Sequence, residues 1–218
     1  MTAATLIAGG YEQEPDSLGR RLLALVDPRG MWLALLYMAG LVLSVSFSVE
    51  GAHWVKEMPG LTGFTLVALL AGASLSRLRV NQLLIHPFAI FLGLFMSAWL
   101  VVGAAGGDTA EDRIVDTLVR MINFVNIINA NGINTDGLPF AAQIVLLDWF
   151  ICYYTAWFYF RDGNVWLSVL PSGIGLVINM TYTPSKSGVN LAAFLFFALL
   201  LIMEANRIRQ RNRWEAKN

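Results

Sequence analysis

Six stretches of this chain carry apolar side chains almost without charge. They run over 31–49, 58–76, about 83–105, 140–160, 165 to about 182 and about 189–203, and only Asp148 interrupts the fourth. An apolar helix of about 20 residues spans the ~30 Å hydrocarbon layer of a bilayer. A backbone in lipid must also satisfy its own polar groups within the segment. The pattern therefore predicts six transmembrane helices, the last two near the short limit.

Between the third and fourth stretches the rhythm changes. Ile114, Leu118, Met121, Val125 and Ile128 recur at steps of three and four, the spacing of one helix face. Asp108 or Thr109 can cap such a helix, and the acids that follow suit its N-terminus. Asn129 to Gly132 supplies an end. This predicts an amphipathic helix over about 109–131, either lying on the membrane surface with its apolar stripe down or packed on the bundle as a lid. The stretch 133–139 reads as turns. Ahead of the first span, 17–26 can form a short helix capped by Asp16 or Ser17, with Leu18, Leu22 and Leu25 on one face. The alternative there is a solvated tail.

Composition narrows the class further. Of 218 residues, 56% are hydrophobic and 14% charged, and the mean hydropathy is +0.59. An ordinary soluble domain carries about 25% charged residues. A disordered chain, a coiled coil and a nucleic-acid binder are excluded. One cysteine excludes a disulfide framework and a multi-thiolate metal site. The acidic start over 1–19 is not a secretory signal, which needs a basic start and an apolar core.

Fifteen Lys and Arg cancel fifteen Asp and Glu, so the distribution of charge matters more than its sum. In a six-helix arrangement, Arg20, Arg21, Arg29, Arg77, Arg79, Arg161, Arg207, Arg209, Arg211, Arg213 and Lys217 share one side. The other side holds Lys56, Arg113, Arg120 and Lys186 among the acids Glu50, Glu57, Asp108, Glu111, Asp112, Asp116 and Asp136. By the positive-inside rule both termini are expected in the cytoplasm, as in a multi-pass protein of the inner membrane. Trp32, Tyr159 and Trp166 then fall at the cytoplasmic interface, and Trp54 and Tyr182 at the outer one. The chain divides into a cytoplasmic tail (1–27), a six-helix membrane domain (28–206) and a basic cytoplasmic tail (207–218). The fold class expected is all-α and polytopic.

Candidate chemistry is sparse. Asp148 lies well inside a span, where a carboxylate is costly. It can be a proton-relay group or ion site, or a protonated or hydrogen-bonded group that joins helices, and the lack of a basic residue deep in any span favours the second. Asn179, toward the outer end of its span, can bond across to a neighbouring helix. Pro171 with Gly173 and Gly175 is expected to break or kink the fifth span. Ala68, Gly72 and Ser76, spaced by four, form a face that lets another helix approach closely. Cys152 reads as a packing residue. His53 and His86 fall on opposite sides of the membrane, so no haem pair, and no cofactor, is expected. No HExxH, CxxC, GxSxG or phosphate-loop motif occurs. The segment from Glu204 to Glu215 is expected to extend the last helix, with Arg207, Arg209, Arg211 and Arg213 as a basic anchor on anionic lipid.

One further set of residues forms a pattern. Pro28-Arg29-Gly30-Met31-Trp32 opens the first span, and Ser46-Phe47-Ser48-Val49-Glu50 leads to Trp54-Val55. Trp157 precedes Arg161, then come Asn164-Val165-Trp166, Pro171-Ser172-Gly173, the run from Leu176 through Asn179 and Tyr182 to Pro184, and the run from Asn206 to Trp214. From about residue 18 onward the order of elements resembles the N-terminal membrane region of the bacterial membrane-anchored transglutaminase-like family, in particular its chloroflexus-like branch. The stretch 157–184 and the basic-Trp tail are the most specific part.

In that family another membrane helix and an extracytoplasmic domain with a Cys–His–Asp triad follow. No position here matches the triad, so the resemblance implies a membrane anchor without catalysis of its own. The expected partners are the bilayer and either a protein partner or a C-terminal domain missing from this chain, and not nucleic acid. A truncated or split gene product and a stand-alone subunit are both compatible with a chain ending at Asn218. The leading expectation is a non-catalytic anchor or scaffold. Its rivals are an accessory subunit of a larger, energy-transducing membrane complex and a small proton-coupled transporter using Asp148.

Overall fold

A computed structural model describes residues 31–56, 58–183 and 188–215. The short helix expected at 17–26, with Arg20, Arg21, Arg29, Lys186 and Lys217, lies outside these residues. Among the described residues there are seven α-helices and no strand. They are α1 (Met31–Ala52), α2 (Thr62–Leu75), α3 (Gln82–Ala104), α4 (Ala110–Asn129), α5 (Gly137–Phe160), α6 (Val165–Tyr182) and α7 (Gly188–Glu215). Five of these, all but α2 and α4, are long and apolar enough to cross a membrane. The chain is a helical, multi-pass membrane protein.

The expected second span is the shortest. Its apolar run begins at Met58, yet α2 starts only at Thr62, beyond Pro59 and Gly60. Its 14 residues extend about 21 Å at 1.5 Å per residue, less than the ~30 Å of hydrocarbon. The last helix extends as expected: α7 runs 28 residues, through the basic segment to Glu215.

Pro171 does not break the helix: α6 runs from Val165 to Tyr182 with Pro171 inside it. Proline here costs the Leu167 carbonyl its usual donor, but Asn164 caps the helix start by accepting from the Trp166 and Leu167 N–H groups. Nearby, the Thr155 hydroxyl of α5 donates to the Ser168 carbonyl at 3.1 Å. Packing to α5 holds the segment helical.

At the centre stands α5, which touches α1, α2, α3, α4 and α6. Trp149, fully buried, faces α3 where Gly93 leaves it room; a Cβ on Gly93 would lie 2.4 Å from the indole. Its N–H donates to the Ala89 carbonyl at 3.3 Å. On the other flank Gly72 of α2 lies against the α5 backbone, and a Cβ there would meet the Tyr153 carbonyl oxygen at 2.3 Å. The two neighbours of Gly72 at four-residue spacing, Ala68 and Ser76, are also buried. Packing of α7 on α1 places Gly40 against the Phe197 ring.

The amphipathic helix α4 starts with a capping box. The Thr109 hydroxyl accepts from the Asp112 N–H, and the Asp112 carboxylate accepts from the Thr109 N–H. The Thr109 hydroxyl, which donates to the Asp112 carboxylate at 2.7 Å, and then the Thr109 N–H hold that carboxyl below its ordinary pKa. The helix touches α3 and α5. Met121 of the expected stripe packs toward the core and Thr117 is buried, while Ile114, Leu118, Val125 and Ile128 are exposed. Most of its apolar stripe is left open. Asn131, with φ +53°, ends the turn that follows in the left-handed region that Asn tolerates.

Candidate functional site

The polar side chains inside the apolar helices gather into two linked clusters. The first joins three helices. Thr65 of α2 donates to the Asp148 carboxylate of α5 at 2.9 Å. Ser46 of α1 donates to the other carboxylate oxygen at 3.3 Å, and the Ser46 and Thr65 hydroxyls lie 2.7 Å apart. The Cys152 thiol, one turn further along α5 and itself buried, points at the same carboxylate from 3.8 Å. Cys152 therefore packs and also serves as a weak donor. No Lys, Arg or His among the described residues forms an ion pair with Asp148.

The second cluster joins α1 and α6. The Asn179 amide donates to the Ser48 carbonyl at 2.9 Å and lies 2.8 Å from the Ser48 hydroxyl. Its oxygen accepts from the Trp54 indole N–H at 2.7 Å. Asn179 is buried and uses both ends of its side chain. Trp54 in turn meets Tyr182 edge-on at 5.4 Å and Phe140 at 6.2 Å.

Between these clusters is a cavity of about 370 Å³ whose walls come from α1, α5, α6 and the residues around Trp54. Asp148 and Asn179, which the sequence singles out separately and 31 positions apart, lie on the same wall system. The rest of the lining is aliphatic or aromatic. Trp54, Phe140 and Tyr182 belong to the end of the bundle that also carries α4.

That end is tied by two further contacts. Glu50, at the end of α1, accepts from the Leu61 N–H and, at 3.0 Å, from the Thr62 N–H. These are donors that the first turn of α2 would otherwise leave unsatisfied. Arg120 of α4 forms a bidentate pair with Asp136, with Nε to carboxylate at 2.7 Å. The guanidinium holds the Asp136 carboxyl below its ordinary pKa, even though partial burial pushes it the other way. Asp136 also caps α5 by accepting from the Leu138 N–H at 3.0 Å.

The opposite end carries the arginines. Arg161 donates to the Ser76 carbonyl at 3.3 Å and to the Leu78 carbonyl at 3.0 Å, and its guanidinium lies over Trp157. Arg209 donates to the Gly163 carbonyl at 2.9 Å, and Arg207 pairs with the buried Glu204 at 2.6 Å. Arg211 and Arg213 are exposed. His86, at the start of α3, sits among Tyr153, Tyr154 and Trp157, with Nδ1 3.2 Å from the Tyr153 hydroxyl. His53 is at the other end, just past α1.

Ser46, Thr65 and Ser48 complete these clusters; sequence reading quoted Ser46 and Ser48 only within the resemblance and gave none of the three a polar role. The available signal was modest: Ser44, Ser46 and Ser48 crowd one half of α1, more hydroxyls than an apolar span needs. Comparison with family models, with curated proteins and with solved structures finds no match to this chain.

Proposed function

We propose that the chain is a non-catalytic membrane domain that anchors or scaffolds a transglutaminase-like unit, carried either by a partner or by a longer form of the same polypeptide. In this reading α2 completes six crossings of an inner membrane, both termini face the cytoplasm, and α4 lies on the outer surface. The resemblance of the segments 157–184 and 206–214 to the membrane region of that family motivates the partner class.

One observation carries the scaffold reading. Asp148 and Asn179 each spend their polar atoms on joining helices of this chain. Buried polar groups used this way specify one arrangement of helices. The charge pattern supports the orientation: Arg77, Arg79, Arg161 and Arg209 fall at one end, and Glu111, Asp112, Asp116 and Asp136 at the other. The open apolar face of α4 is a surface for the outer lipid leaflet or the anchored unit.

The test is purification from native membranes after mild cross-linking, with an antibody to 109–136 as the handle. A transglutaminase-like domain should appear at fixed stoichiometry, on the same polypeptide or a second one. Proton flux driven by the chain alone in liposomes, and lost in Asp148→Asn, would overturn the reading. So would catalysis by the purified chain, or a fixed-stoichiometry partner of another kind.

A further inference from the structure

We infer that the cavity beside Asp148 is a binding site for a lipophilic ammonium compound: a protonated amine head on an apolar body. This inference stands apart from the anchor reading.

The cavity, at about 370 Å³, falls within the ~300–1,000 Å³ range of ligand sites. Its walls are those of an apolar ligand's site, with Val45, Ile144, Ile151 and Ile178 among them. Two polar side chains reach it within the helices. Asn179 is fully engaged by Ser48 and Trp54. Asp148 keeps part of its surface open and lines the cavity. It is the only ionisable carboxyl there, and no basic residue shares the lining.

The donors to Asp148 are two hydroxyls and a thiol, all uncharged. They supply no countercharge, so Asp148 would be ionised in hydrocarbon only at a high cost, which a cation beside it would offset. A ligand ammonium supplies both the charge and a further donor. Its apolar body covers the aliphatic wall, and the rings of Trp54, Phe140 and Tyr182 lie along the way to the α4 end of the bundle.

Gly175 gives an independent handle. It lines the cavity, and a Cβ there would have Ile151 Cδ1 as its nearest neighbour at an ordinary 3.8 Å. A side chain can therefore begin at this position without a clash, and Gly175→Leu is chosen to occupy the space beyond it.

The experiment is native mass spectrometry of the full chain in micelles with n-decylamine, n-decanol and decanoic acid as probes. Decylamine should be retained at least about tenfold more tightly than decanol, as expected for one charged hydrogen bond. Decanoic acid should not be retained. Asp148→Asn should lose about tenfold in decylamine affinity, and Gly175→Leu should lose binding while keeping its helical circular dichroism. Equal retention of decanol and decylamine would overturn the inference, and so would decylamine binding that neither variant changes. If Asp148→Asn fails to fold, the probe ranking and Gly175→Leu decide alone.

Discussion

The Thr65 hydroxyl donates to the Asp148 carboxylate at 2.9 Å, a bond from the shortest helix to the central one. It makes α2 and α5 partners through chemistry as well as shape. Intramembrane hydrogen bonds of this kind contribute about 0.6 kcal/mol on average and up to ~2. Thr65→Val keeps the shape and removes the donor, so it should destabilise the protein by about 1 kcal/mol. Ser46→Ala in the same background should cost less than it does alone, because the two hydroxyls also bond each other. Denaturant titration of the four members of this cycle in mixed micelles checks the coupling.

Two glycines of α2 should respond in opposite directions to alanine. Gly72 has the Tyr153 carbonyl where a Cβ would go, whereas Gly63 has nothing within 4 Å. Gly72→Ala must move one backbone from the other, at a cost of about 1–3 kcal/mol. Gly63→Ala meets no contact and gains helix propensity, up to ~1 kcal/mol. Thermal melting of the two variants in one detergent gives the comparison.

Docking of α4 should depend on acid pH through Asp136. The Arg120 pair lowers the folded-state pKa of this carboxyl. Its stabilisation is complete above the ordinary carboxylate pKa of ~4. It is lost as the pH falls from there through the lowered folded value. Asp136→Asn should loosen α4 at neutral pH and reduce this pH dependence to the part that the Asp112 cap contributes, while Asn keeps the cap on Leu138. Hydrogen exchange of 110–129 measured from pH 7 to pH 3 would show both effects.

Glu50 should matter to α2 more than its place at a helix end implies. It satisfies the Leu61 and Thr62 N–H groups from across a turn. Glu50→Ala strips that cap, and a lost cap costs about 0.5–2 kcal/mol. The loss should appear as faster exchange at 61–65 with little change in α5. Equal exchange at 61–65 in Glu50→Ala and in the unaltered protein would show that the contact is incidental.

The helical, multi-pass class was legible because lipid demands long uncharged runs, and those runs are visible without any partner. The bounds of α6 were legible from the apolar run 165–182, and the start of α4 from Thr109 as a cap followed by acids, because these signals are local; that Asp112 closes a capping box there was not read. The start of α2 was not legible: Pro59 and Gly60 delay it, and its cap comes from Glu50, eleven residues back. Nor was the role of Arg161, whose acceptors at Ser76 and Leu78 lie 85 and 83 residues away. Why Pro171 does not break its helix was illegible for a related reason. Its local penalty is real, but contacts from α5 outweigh it, and those are not written in the segment itself. Asp148 and Asn179 were visible as anomalies in apolar helices, while their shared cavity depends on how three helices pack.

The Ser46–Thr65 bond also has a place in the order of synthesis. These residues are 19 apart, whereas Asp148 follows Thr65 by 83 positions. At about 5–20 residues per second, a ribosome needs roughly 4–17 s to cover that distance. During this interval α1 and α2 have left the ribosome and their shared acceptor has not been made. A mutual hydroxyl pair gives both side chains a partner inside lipid while they wait. When α5 inserts, its carboxylate joins a pair that is already assembled, so the first two helices act as a template for the third.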